Sequence, residues 1–112
     1  MIMKLTKKII ERIEKETNCC VEIEDKELIS VFVDNSCDED FRLEINRGKN
    51  ELEDIICQCD CYDSDEHFRL WFGANNGEPQ SPRDLLDNCE EIGRNLEQLG
   101  DLLRGIVYGN RD

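Results

Sequence analysis

The chain has one histidine, no long apolar run and a shortage of positive charge. A single histidine leaves no histidine-based metal triad and no robust Ser-His-Asp arrangement. No stretch approaches the ~20 apolar residues of a membrane span. The start, "MIMKLTKKII", lacks the apolar core of a signal peptide. A cytoplasmic protein is therefore expected. There is no glycine-rich phosphate loop. "DNSCDED" and "DCYDSDE" resemble calcium loops only superficially, because both lack the glycine at position six and the glutamate at position twelve. Carboxylates cluster only in loops, with no apolar pocket to raise the pKa of one of them. No catalytic constellation remains, and the chain does not read as an enzyme.

Negative charge is abundant. Lys and Arg number 14 against 27 Asp and Glu, a formal net charge of -13. The distribution is uneven: residues 1–17 sum to +2, so the rest carries the whole excess. Such a chain repels nucleic-acid phosphates. It suits a basic surface on another protein, or acidity that serves solubility alone. With 112 residues and no linker, repeat or low-complexity segment, residues 1–112 read as one domain.

Hydrophobic periodicity divides the chain. In residues 4–17, Leu5, Ile9 and Ile13 recur at spacing four among lysines and glutamates, which predicts an amphipathic helix ending near Asn18. The period then falls to two. Cys19, Val21 and Ile23 share a face, then Ile29, Val31 and Val33, then Phe41, Leu43 and Ile45. Alternation also predicts a fourth strand over about 51–61, with Ile55, Cys57, Cys59 and Cys61 on one face. A fifth follows over 68–72, with Phe68, Leu70 and Phe72 inward and Trp71 outward as a possible partner anchor, like Phe32. Ser81 then caps a long helix with Pro82 at its first position. Its stripe is Leu85, Cys89, Ile92, Leu96, Leu99, Leu103 and Ile106, flanked by Leu86, Gly93, Gly100 and Val107 at spacing seven. The glycines suit close approach to the sheet or the first helix, or else a dimer seam. The expected fold is α+β, in the order α-β-β-β-β-β-α: a two-layer, five-stranded antiparallel sheet with both helices on one face.

In that meander, Cys19, Cys37, Cys59 and Cys61 gather at one end of the sheet. They form a candidate zinc tetrad, with Cys20 and His67 as substitute ligands. Plain core packing and a redox pair are the competing readings. Cys57 and Cys89 read as core. The loops at the same end carry Asp38, Glu39 and Asp40, and Asp63, Asp65 and Glu66. These six carboxylates are the expected partner-binding residues.

A small, acidic, single-domain chain without a catalytic site resembles the anti-CRISPR proteins of phages and mobile elements that act on the type II RNA-guided nuclease. The resemblance is one of size, charge and sheet-plus-helix build, and no motif carries residue roles across. It implies an inhibitor that binds a basic surface of a CRISPR-Cas effector nuclease and blocks target DNA loading or cleavage, as monomer or homodimer. A zinc-stabilised adaptor or regulatory protein with another protein partner is the alternative.

Overall fold

A computed structural model describes residues 4–37, 39–48, 50–75 and 81–109. The elements are α1 (Lys7–Glu16), β1 (Cys19–Ile23), β2 (Leu28–Val33), β3 (Arg42–Asn46), α2 (Glu51–Cys61), α3 (Ser64–Asn75) and α4 (Pro82–Tyr108). The fold is α+β, but the expected five-stranded sheet is overturned. Three antiparallel strands in the order β1-β2-β3 form the sheet, and the two segments expected as the fourth and fifth strands are helices.

The first half follows its periodicity. The Thr6 hydroxyl caps α1 by accepting the Ile9 N–H at 3.2 Å. The Thr17 hydroxyl closes the other end by donating to the Ile13 carbonyl at 2.6 Å. The strands pair Cys19 with Val33, Val21 with Val31 and Ile23 with Ile29. Ile29 in turn faces Ile45, and Val31 faces Leu43. Odd-numbered apolar residues therefore line one side of the sheet. Ile29, Val31, Val33, Leu43 and Ile45 are buried there with Ile13 of α1.

The second half contains the same residues at a different period. Alternation through Ile55, Cys57, Cys59 and Cys61 competes with Leu52, Ile55, Ile56 and Cys59, which follow i, i+3, i+4, i+7. The helical set includes the three bulkiest side chains, and Leu52, Ile55 and Ile56 are buried. Glu51, Glu53 and Asp54 crowd the first turn of α2, where the helix dipole favours negative charge. In α3, the run expected to point Phe68, Leu70 and Phe72 inward instead leaves Leu70 68% exposed. Phe68 and Phe72, one turn apart, stack at 5.7 Å between ring centroids. Asp63 and Glu66 supply the D-x-x-E signature of a helix start, and the Asp63 carboxylate accepts from the Asp65 and Glu66 N–H groups at 3.0 and 3.3 Å.

The long helix α4 binds the layers together. Ser81 caps it, with Pro82 in the first turn. Leu85, Cys89, Ile92, Leu96, Leu99 and Leu103 are buried along its stripe. Gly93 and Gly100 face neither the sheet nor α1. A Cβ at Gly93 would sit 3.5 Å from the Tyr62 ring, and one at Gly100 would sit 3.5 Å from the Cys59 Cβ. The small residues therefore mark where α2 and its C-terminal tyrosine lie on α4.

Candidate partner-binding site

The acidic loop between β2 and β3 is strapped to α4 by buried amides. Asn88 is fully buried on α4. Its Oδ1 accepts the Cys37 N–H at 2.9 Å and the Ser36 hydroxyl at 3.2 Å. Its Nδ2 donates to Asn35 Oδ1 at 3.2 Å. Asn35 closes the loop on itself, donating to the Glu39 carbonyl at 2.8 Å and accepting the Glu39 N–H at 2.7 Å. One α4 heptad later, Asn95 donates to the Asp34 carbonyl at 2.9 Å and accepts from Asn18 at 3.1 Å. A buried amide with its hydrogen bonds satisfied holds a loop in one conformation, since an unpaired one costs about 1–3 kcal/mol. Sequence reasoning missed these residues. The available signal was polar Asn88 and Asn95 on the apolar face of α4, each three residues after and four before a core side chain.

A second clasp joins this loop to α3. His67 Nε2 lies 3.0 Å from Glu39 Oε2. The Tyr62 hydroxyl meets both His67 Nδ1 and the Cys89 carbonyl, the latter at 3.1 Å. With the phenol proton on the Cys89 carbonyl, both ring nitrogens of His67 are donors and an imidazolium faces Glu39. With it on Nδ1, the ring is neutral and Nε2–H donates to Glu39. Burial pushes the Tyr62 phenol far above its ordinary range, so it remains a donor. Phe41 and Tyr62 lie 5.3 and 5.5 Å from the imidazole, and Trp71 stacks on it at 5.6 Å. Trp71 is thus packed against His67 rather than presented outward from a sheet.

These clasps bring the two acidic segments to one side of the molecule, and they separate the six expected carboxylates by role. Asp40, Asp65 and Glu66 are exposed. Glu39 is held by His67, and Asp63 caps α3. Asp38 lies outside the described residues. Beside them runs a groove of about 430 Å³, whose acidic rim is Glu14, Asp34, Glu39 and Asp40 and whose aromatic lining is Phe32 and Phe41. Phe32 already carries a cation: the Arg42 guanidinium lies 5.2 Å from its ring centroid.

Of the four thiols of the expected zinc tetrad, Cys19 and Cys59 meet in the same core, and among the described residues no third ligand joins them. Cys19 is buried on β1, Cys37 sits in the β2–β3 loop near the Asp84 carbonyl, Cys59 packs on the core from α2, and Cys61 is exposed. Because α2 is a helix, Cys59 turns inward while Cys61 is exposed. Of the substitutes, Cys20 is exposed on β1 and His67 belongs to the Glu39 clasp. Among the described residues, no group of three or more His, Cys, Asp or Glu side chains is arranged to hold a metal ion. Burial pushes the Cys19 thiol up to about 11 and the Cys59 thiol up to about 12, which keeps both protonated. Cys89 is buried as expected, whereas Cys57, expected in the core, is exposed. Among the described residues, no helix is long and apolar enough to cross a membrane. No protein-family model matches the chain, and no curated protein or solved structure is detectably similar to it.

Proposed function

We propose that the chain is a non-catalytic binding protein that places its acidic face on a basic, nucleic-acid-binding surface of another protein. The specific target is a CRISPR-Cas effector nuclease, whose function is blocked before target DNA loads. The observation that carries this reading is the preorganised acidic groove with an aromatic lining, in which Phe32 already receives a guanidinium from Arg42. Arginines of a DNA-binding channel offer the same group. A loop fixed by Asn88 and Asn95 meets such a surface without an ordering cost.

The test is a DNA-cleavage assay with a panel of RNA-guided nucleases. The charge variant is Asp34→Asn, Asp40→Asn, Asp65→Asn and Glu66→Gln combined, which spares the Glu39 clasp and the Asp63 cap. The wild-type chain inhibits at least one effector, and the variant loses inhibition by at least about tenfold while keeping its circular dichroism spectrum. Full inhibition by the variant removes the electrostatic basis. Failure of the wild-type chain against every effector removes the target.

A further inference from the structure

The helical assignment of residues 51–61 changes which thiols share a face. On a strand, Cys57, Cys59 and Cys61 would project together. On α2, Cys57 and Cys61 stand one turn apart on one face, while Cys59 turns to the core. Both outer cysteines are exposed and stand one helical turn apart. The surroundings are acidic. Cys61, and then Asp54 and Asp60, raise the Cys57 pKa, so its thiolate forms only as an incoming metal displaces the proton. The last turn of α2 has no basic residue of its own, so the partial negative charge of the helix end adds to theirs. Arg104 reaches over from α4 to Asp60 beside this turn, and it is shared with Asp101.

The same geometry opposes an internal disulfide. Residues four apart on a helix hold their Cβ atoms about 5–6 Å apart, whereas a disulfide needs ~3.5–4.5 Å. A bridging ion removes that conflict. Two metal–sulfur bonds of about 2.3 Å span up to ~4.6 Å between sulfurs, within reach of two side chains one turn apart.

We propose that Cys57 and Cys61 form a two-thiolate site for a soft, monovalent cation of the copper(I) class. Thiolates select such ions over hard cations, and a closed-shell copper(I) ion is satisfied by two sulfurs in line. The site therefore needs no third protein donor, in keeping with the described residues, which offer no group of three. Zinc, which takes four ligands, is not served by this pair alone. Binding exchanges protons for metal: one copper(I) ion and two thiols give a bis-thiolate complex and two released protons, with no change in oxidation state.

The experiment is an anaerobic competition between the full chain and a colorimetric copper(I) chelator, with copper(I) alone as probe. The wild-type chain takes one tight equivalent. Cys57→Ser and Cys61→Ser each weaken that equivalent by at least about tenfold, since even the loss of a supporting group outside the ligand shell costs about 10–100-fold. Cys20→Ser, which removes another exposed thiol, leaves it unchanged. Both altered positions are exposed, and circular dichroism checks that α2 persists. The proposal is overturned by a wild-type chain that takes no copper from the chelator. It is equally overturned by unaltered binding in the Cys57→Ser/Cys61→Ser double variant, or by an equal loss in Cys20→Ser.

Discussion

At the scale of single residues, Glu51 is the most consequential carboxylate for folding. It is only 4% exposed, and its two oxygens accept the Leu5 N–H and the Gly48 N–H, each at 2.8 Å. One side chain thus ties the N-terminal segment and the β3–α2 turn to the start of α2. Glu51→Ala leaves two N–H groups without that acceptor and is expected to destabilise the fold by about 3 kcal/mol in urea unfolding, with Glu51→Gln costing less. An effect below about 0.5 kcal/mol would show that solvent replaces the carboxylate at no cost. The buried thiols set the alkaline limit. Burial raises Cys19 from an ordinary 9.0 to about 11 and Cys59 to about 12. Between those values the unfolded chain has released protons that the folded chain retains. Stability is therefore complete below pH 9 and falls as pH rises, by up to about 1.4 kcal/mol per pH unit for each thiol. A melting temperature that declines from pH 9 upward, with a shallower slope in Cys59→Ala, is the expected result. A flat profile to pH 11 contradicts it.

At the scale of elements, the informative cases are α2 and α3. A short apolar run satisfies period two and period 3.6 at once, and cysteine, small and moderately apolar, scores for either. Local signals favoured helix without deciding it: three acids in the first turn of α2, and the Asp63-x-x-Glu66 start of α3. The alternation was clearest in β3, where polar Arg42, Glu44 and Asn46 occupy the positions between Leu43 and Ile45 and on either side. The ends of α4 were equally legible from Ser81 and Pro82. Its glycines invite a test. An added Cβ at Gly93 meets only the Tyr62 ring, at ordinary contact distances of 3.5 and 3.7 Å. Gly93→Ala is therefore expected to stabilise the protein by roughly 0.5–1 kcal/mol through helix propensity. A loss of stability would mean that Tyr62 cannot adjust and that α2 and α4 pack more rigidly than these distances require.

At the scale of the whole molecule, a net charge of -13 makes long-range electrostatics the first thing a partner meets. If the acidic face steers association with a basic nuclease surface, raising ionic strength from about 0.1 M to 1 M shrinks the Debye length from ~10 to ~3 Å and lowers the association rate by at least about tenfold. A salt-independent rate would place the contact on apolar or neutral surface instead. The sequence by itself determined the charge, the amphipathic first helix, the three alternating strands and the capped last helix. Each of these is written in neighbouring residues, through side-chain period or a cap one turn long. Only the tertiary structure decided that 51–61 and 64–75 are helices, that Asn88 and Asn95 hold the acidic loop, that His67 meets Glu39, and that Cys57 and Cys61 share a face while Cys59 turns inward. Local period is degenerate there. The tie is broken by which face finds apolar partners, and those partners lie on α4 and the sheet, far away in the sequence.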